Sequence, residues 1–587
     1  MPSPSVYPIP HQFTTGDAVW FAPLLTVNQP GADFDPALHL AGCGMEVVVV
    51  DNTEGVVSLI EDAEALQDHL PDGLSDAKAA QAYRLTIRGG KTPVDPPKVT
   101  ITAATSSGLR YGLATLKQIL RQGPVETQVI DWPDVAVRGV IEGFYGDPWP
   151  HTVRLEMCAM LANLKFSHFM FAPKDDYLHR YLWRDRYPQE ILDTYKELAD
   201  RASELGLIFG YALSPGLSVV HSSVVDLNAI TGKFDQMFDI GVRSFALLFD
   251  DIPEEMTHPD DLEQFSSQAE GHVHVTTKVW EHLQSRDSDT SLVFCPTHYS
   301  DYFLEGKTAK DSDYLKTAAS LPEGVDIFWT GPKICSAELT AKHTDEVSKV
   351  VGRPVMYWDN YPVNDADMWK EMHIGPYEGR EATLGDHAKG LYANPMDAYA
   401  SSKVPLFTVG DFLWHGAAHD PWMSWEAATE ALYPSVAEDL RVVANNLLVC
   451  CLRKGDSERL SSLVENWRVS EGPAKDDALV AIESYFFRVR KAVRRLTSTV
   501  RYPRLAKEMA PWIRKLNDCS ASGLAAVDVV RVSAGEGASE ARHQLVVTHE
   551  AATIFNVYKG MEKVLTGFVR LALIENEEAL RQAAEKS

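Results

Sequence analysis

Two aspartates, Asp250 and Asp251, stand side by side at the end of the apolar run FALLFDD (245–251). Successive residues of a strand point to opposite faces, so both carboxylates reach one cleft only where a strand ends. Two close carboxylates repel, which tends to raise the pKa of one and leave the other ionised. That is the division of labour between a general acid and a charged stabiliser. Other apolar runs also end in polar groups: Gly143, Phe144, Tyr145 and Gly146; Lys174, Asp175 and Asp176; Thr297, His298 and Tyr299; Trp329, Thr330 and Lys333. A further run ends in Trp358, Asp359, Asn360 and Tyr361 with Asp365 close behind, and a last one offers Asn394. Carboxylates, amides, a lysine and aromatic rings suit a sugar-binding cleft, where rings stack on pyranose faces and polar groups bond hydroxyls.

Other chemistries find less support. His415 and His419 have i,i+4 spacing, but HGAAH lacks the glutamate of HExxH, so no metal is expected. The chain has no GxSxG, phosphate loop or paired CxxC, which counts against serine hydrolase, NTPase and zinc readings, and no cofactor is expected. Cys295, just before a proline, reads as core or pocket wall rather than a nucleophile. His272 and His274 lie on a polar stretch and are expected to be exposed.

The elements that carry these residues follow a regular alternation. Strands are predicted at 137–144, 167–173, 207–213, 245–251, 291–297, 326–331, 354–360 and 390–395, with helices between them such as 151–163, 189–204, 269–284 and 336–350. Near-continuous apolar strands, each followed by a helix, imply a parallel sheet covered on both faces. Eight repeats match a (β/α)8 TIM barrel, whose functional side chains sit at the C-terminal strand ends. The fold class is therefore α/β, with the barrel at 132–425, an N-terminal α/β supporting domain at 1–131 and a C-terminal helical bundle at 426–587. In the first part, 45–50, 82–89 and 98–104 read as strands and 108–123 as a helix with Leu113, Leu116 and Leu120 on one face. In the last, Ile482, Tyr485, Phe486, Val489 and Val493 form a helical stripe, 554–574 is similar, and 533–542 reads as a linker.

Composition agrees with a globular protein: 587 residues, 45% hydrophobic, 10% aromatic and 23% charged. The net charge of −27 argues against nucleic acid or an anionic membrane as partner. Residues 426–587 hold 23 basic and 22 acidic side chains, which leaves 32 against 60 for the rest, so the acidity belongs to the front. Seven scattered cysteines fit a reducing compartment. The start, MPSPSVYPIPHQFTTG, carries no basic stretch followed by an apolar one, and a cytoplasmic location is expected.

Six ordered segments, RGVIEGFYGDPW (138–149), FAPKDD (171–176), LLFDDI (247–252), FCPTHY (294–299), FWTGPKICS (328–336) and WDNYPVND (358–365), resemble glycoside hydrolase family 84, the family of O-GlcNAcases and related β-N-acetylglucosaminidases. The resemblance covers about 82–425 well and is weakest over the helical tail. It implies retaining hydrolysis of terminal β-linked GlcNAc in which the substrate's own acetamido oxygen attacks the anomeric carbon, forming an oxazoline. On matching positions, Asp250 would polarise the acetamido N–H and Asp251 would be the general acid and then base. Tyr299 would orient the acetamido oxygen, with Cys295, Trp329, Thr330 and Trp358 shaping its pocket. Gly143, Lys174, Asn360, Asp365 and Asn394 match positions that hold the sugar hydroxyls, and Tyr145 one at the pocket wall.

The sequence departs from the family at Tyr177-Leu178-His179, where Pro-Tyr-His is usual, and at His298, where Glu is frequent. Both departures concern the outer cleft and the aglycone. The implied partner is a β-N-acetylglucosaminide, with an O-GlcNAc-modified Ser/Thr protein, a cell-wall fragment and a free glycoside all open. The helical tail is available for a homodimer. An endo-acting, hyaluronidase-like enzyme and an inactive glycan-binding barrel are the alternatives.

Overall fold

The structure, a computed structural model, describes residues 4–28, 33–50, 55–92, 95–455, 457–532, 537–554, 557 and 560–586. It divides into two compact units. One comprises Met1–Asn360, Glu378–Pro395 and Val409–Asp420, the other Tyr361–Tyr377, Met396–Thr408 and Pro421–Ser587. No helix among the described residues is long and apolar enough to cross a membrane.

The first unit opens with a mixed seven-stranded sheet. From one edge its order is Gln12–Ala18, Val125–Asp131, Tyr83–Thr92, Asp95–Ala103, Val57–Glu61, Leu24–Asn28 and Glu46–Val50. The helix Ser106–Gln122 lays Leu109, Leu113, Leu116, Ile119 and Leu120 into the core and stops at Gly123, whose φ of +104° suits glycine. Behind this sheet sits a buried charge network. Asp131 Oδ2 accepts from Lys165 Nζ (2.9 Å) and the Tyr83 hydroxyl (2.7 Å), while its Oδ1 accepts from Trp414 Nε1 (2.8 Å). Lys165 follows the first barrel helix and Trp414 ends the last, so one carboxylate joins the sheet to the barrel within this unit.

Eight parallel strands close the barrel: Val137–Glu142, His168–Phe171, Ile208–Leu213, Ser244–Leu248, Ser291–Cys295, Val325–Trp329, Met356–Asp359 and Gly390–Ala393. The eighth strand pairs with the first, Tyr392 opposite Gly139, so no edge is left open. Alternation decides which side chains fill the interior. Ile141, Met170, Ala212, Ala246, Leu248, Val293, Cys295, Phe328, Met356, Trp358 and Tyr392 pack there as one cluster. Each strand continues that parity past its end, and this is how it delivers Gly143, Lys174 and Asp250 above the core layer.

Within the second unit, long helices run over Glu458–Val469, Pro473–Thr497, Ala510–Arg531, Ala538–Ile554 and Gly560–Lys586. Ile482, Phe486, Val489 and Val493 are buried on one stripe of the second of these, whereas Tyr485 is half-buried and donates to Asn446. The expected linker at 533–542 falls partly on residues 533–536, outside the described residues, and from Ala538 onward it is helical.

Candidate active site

The fourth barrel strand ends at Leu248 and sets the two aspartates apart. Asp250 keeps the inward parity of Ala246 and Leu248 and is 5% exposed. Lys174, arriving from beyond the second strand, places Nζ 2.5 Å from Asp250 Oδ2. The other oxygen, Oδ1, is buried without a hydrogen-bond partner. A buried carboxylate oxygen that finds no donor in the protein is a ready acceptor for an N–H group entering the barrel mouth.

Parity alone would turn Asp251 outward, as it does Phe249, whose ring stacks on His272 at 4.0 Å. Instead Asp251 has a φ of +52° and its side chain is exposed. This left-handed conformation costs a non-glycine residue of order 1 kcal/mol, less for Asp than for most. It lets consecutive residues serve one cleft. Two phenols hold the Asp251 carboxylate: Tyr145 donates to Oδ2 (2.9 Å) and Tyr299 to Oδ1 (2.7 Å). Burial, with the Asp251 and Asp250 charges beside them, pushes both phenols far above their ordinary pKa, so both stay protonated donors.

A second group of residues is tied together across the barrel mouth. Asn394 Oδ1 accepts from the Gly143 N–H (3.2 Å), and Asn394 Nδ2 donates to Asn360 Oδ1 (3.0 Å), which also accepts from Trp358 Nε1 (3.0 Å). Gly143 has no room for a side chain, because a Cβ there would lie 2.3 Å from the Trp358 indole. The Lys174 ammonium sits 5.3 Å from the same ring, linking this group to Asp250.

Cys295 lies inside the barrel, and burial with the Asp250 charge nearby pushes its thiol well above the ordinary range, as befits a wall residue. Other expected residues lie elsewhere. Trp329 shares the helix-facing side of its strand with Tyr357, its register partner, and its indole N–H points to His343 Nε2 at 3.3 Å. Phe328 is the residue of that strand that faces the interior. The Thr330 hydroxyl is engaged by the Lys333 carbonyl (2.9 Å), and its N–H donates to the Tyr299 carbonyl (2.9 Å), so it braces Tyr299 from behind. Asp365 belongs to the other compact unit, where it precedes the short turn Ala366–Met368. His272 is wholly buried rather than exposed, because its ring stacks on Phe249 and its Nδ1 meets the Tyr314 hydroxyl at 2.6 Å. His419 pairs with Asp411 and His415 stacks on His11.

Three residues at this mouth were not anticipated. Phe303 packs against Tyr299 (4.7 Å, edge-on) and Ile334 against the same interior cluster. Phe303 sits in the short 3-10 helix Asp301–Leu304 and Ile334 on a loop, both beyond the reach of strand periodicity, although Phe303 follows Tyr299 at helical spacing. The third is Arg180, buried six residues after Lys174.

Comparison with known proteins places this geometry. The beta-N-acetylglucosaminidase family model matches residues 138–445, which is 308 of the 587. The chain belongs to the β-N-acetylglucosaminidase family. The segment before the barrel, 37–137, matches domain 2 of glycosyl hydrolase family 20. The protein O-GlcNAcases of Rattus norvegicus and Mus musculus are each 38% identical over 272 residues, 46% of this chain. That match spans only 29% of the length of those relatives. A mutant of the Thermobaculum terrenum O-GlcNAc hydrolase superposes with a TM-score of 0.70 at 30% identity, over 77% of this chain and 98% of that one. CpGH84D, at 23% identity, shares the fold over 98% of this chain and 100% of its own, with a TM-score of 0.83. The Asp250–Asp251 pair, Lys174, Tyr299, Trp358 and Asn394 all lie inside the span of this match.

Proposed function

We propose that this chain is a retaining, exo-acting β-N-acetylglucosaminidase that uses the acetamido oxygen of its substrate as the nucleophile. The observation that carries the reading is the buried, unpartnered Oδ1 of Asp250 beside an exposed Asp251 held by two phenols. Families that use the substrate's own acetamido group depart from the two-carboxylate scheme, in which a protein carboxylate attacks. Here Asp250, anchored by Lys174 through Oδ2, accepts the acetamido N–H on Oδ1. Its charge stabilises the positive charge that develops as the oxazoline forms. Asp251 protonates the leaving oxygen and then takes a proton from the incoming water. Tyr299 orients the acetamido oxygen against the wall of Cys295, Phe303 and Trp358. Asn360, Asn394 and Lys174 hold ring hydroxyls.

The substrate we infer is GlcNAc β-linked to Ser or Thr of a protein, the class named for the mammalian relatives. Tyr177 and Tyr181, exposed on the loop that follows Lys174 with rings 6.1 Å apart, offer an aromatic shelf for a peptide aglycone. A chromogenic aryl β-N-acetylglucosaminide tests the activity. The same glycoside with N-trifluoroacetyl in place of N-acetyl tests the nucleophile: turnover falls steeply if the acyl oxygen attacks, and a flat response excludes it. Release of sugar from O-GlcNAc-modified protein, set against muropeptides, tests the aglycone.

A further inference from the structure

Asp251 faces the cleft only because its backbone turns left-handed, and one buried side chain grips it from two sides. Arg180 Nη2 donates to the Asp251 carbonyl oxygen at 3.0 Å. Arg180 Nη1 donates to the Tyr145 hydroxyl at 2.8 Å, which in turn donates to Asp251 Oδ2 at 2.9 Å. The guanidinium therefore fixes the residue at its peptide plane directly and at its carboxylate through one phenol. It also lies 5.4 Å from the centre of the Tyr145 ring, adding a cation–π contact.

The loop that brings Arg180 here is itself determined. Asp175 Oδ2 accepts from the Gly146 N–H (2.7 Å), tying the loop to the segment that carries Tyr145. Asp176 Oδ1 accepts from the N–H groups of Leu178 (2.8 Å) and His179 (3.1 Å), closing the turn from which Arg180 projects. Lys174, Asp175 and Asp176 thus divide three tasks: the first anchors Asp250, and the other two shape the loop that secures Asp251.

We propose that Arg180 is the positioning residue for the general acid, holding Asp251 in the left-handed conformation that aims its carboxylate at the leaving oxygen. The inference rests on the reading of Asp251 as that acid. Arginine is suited to the task because its planar fork presents two donors at fixed separation, which an ammonium does not. The bonds are to a carbonyl and a hydroxyl, so Arg180 acts through Asp251 and Tyr145 rather than on the substrate.

Loss of an acid's aim affects poor leaving groups selectively, because activated phenols depart without a proton. Arg180→Met is expected to lower kcat/KM on an alkyl β-N-acetylglucosaminide about 100-fold and on a dinitrophenyl glycoside by less than about threefold. Arg180→Lys, which restores the charge and one donor, is expected to fall between wild type and Arg180→Met on the alkyl substrate. Equal losses on both substrates, or an unchanged alkyl rate, overturn the proposal. A crystal structure of Arg180→Met gives a readout that does not depend on activity: Asp251 leaving its left-handed conformation supports the proposal, and Asp251 unmoved overturns it. If wild-type protein turns over no β-N-acetylglucosaminide, the functional reading fails on that assay, and the structural readout decides the role of Arg180 separately. Should Arg180→Met not fold, Arg180→Lys is carried through the same kinetic and structural comparisons, with the same outcomes deciding.

Discussion

Lys174 and Asp250 come from the ends of two barrel strands that are not neighbours, and their side chains meet as an almost wholly buried ion pair at 2.5 Å. Removing one member of such a pair strands a charge, which typically costs about 3–5 kcal/mol. Lys174→Met is therefore expected to lower stability by that amount, read as a shift in the urea midpoint. Adding Asp250→Asn should restore most of the stability without restoring activity. Recovery of activity in the double variant would contradict the role given to Asp250.

The two aspartates should differ in how their loss depends on the leaving group. Asp251→Asn is expected to lower kcat/KM on alkyl glycosides by about 10²–10⁴ and to spare dinitrophenyl glycosides. Asp250→Asn should slow both by a similar factor, on the order of 10²–10³, because the acetamido oxygen must bond to the anomeric carbon as the leaving group departs, whichever leaving group that is. Steady-state kinetics on the two substrates measure both.

Gly143 is expected to tolerate no side chain. In Gly143→Ala the new methyl must displace the Trp358 indole, at a cost of about 1–3 kcal/mol in stability. The displaced ring disturbs the Asn360–Asn394 pair as well, so KM should rise together with a lower melting temperature. A variant with wild-type KM would show that the indole can yield without consequence for the sugar.

Tyr177→Ala and Tyr181→Ala test the shelf. Both residues are largely exposed, at 70% and 50%, so stability should change by less than about 0.5 kcal/mol. KM for a GlcNAc-bearing glycopeptide should rise roughly fivefold per ring, with KM for a small aryl glycoside unchanged. Equal effects on both substrates would place the rings outside aglycone recognition.

Acid and base should erode the joint between the N-terminal sheet and the barrel from opposite sides. Burial acts to raise the Asp131 pKa, but the Lys165 ammonium and His11 outweigh it and hold the carboxyl well below its usual range. Its contribution is thus complete above the unfolded value near pH 4 and is lost as pH falls below that towards the folded value. For His11, burial acts to lower the pKa, while hydrogen bonds to Asp131 and Asp134 raise it overall. That contribution is complete below the unfolded value near pH 6.5 and is lost as pH rises through the folded one. Urea midpoints across pH should show both limbs, and Asp131→Asn should flatten both.

Barrel strands were legible because strands covered on both faces are apolar throughout, and their polar ends then stand out. The edge strand Gln12–Ala18 was not, since QFTTGDA is almost entirely exposed and carries no alternation. Trp329 shows how narrow strand-end reasoning is: a single step of parity separates the interior from the helix layer, and Phe328 holds the inward place. His272 was misread because a polar neighbourhood in sequence says nothing of the Phe249 ring it meets in space. Arg180 lies outside any strand end, and its value depends on two partners 35 and 71 residues away.

The left-handed turn at Asp251 also limits how this site could decay over evolutionary time. Only asparagine and glycine share aspartate's ease in that conformation, so a descendant that abandoned hydrolysis while keeping its barrel intact would most readily read Asp-Asn or Asp-Gly at positions 250–251. A bulkier or β-branched replacement would disturb the chain before it silenced the chemistry. That dipeptide is therefore a compact marker for separating working hydrolases from retired ones among barrels of this kind.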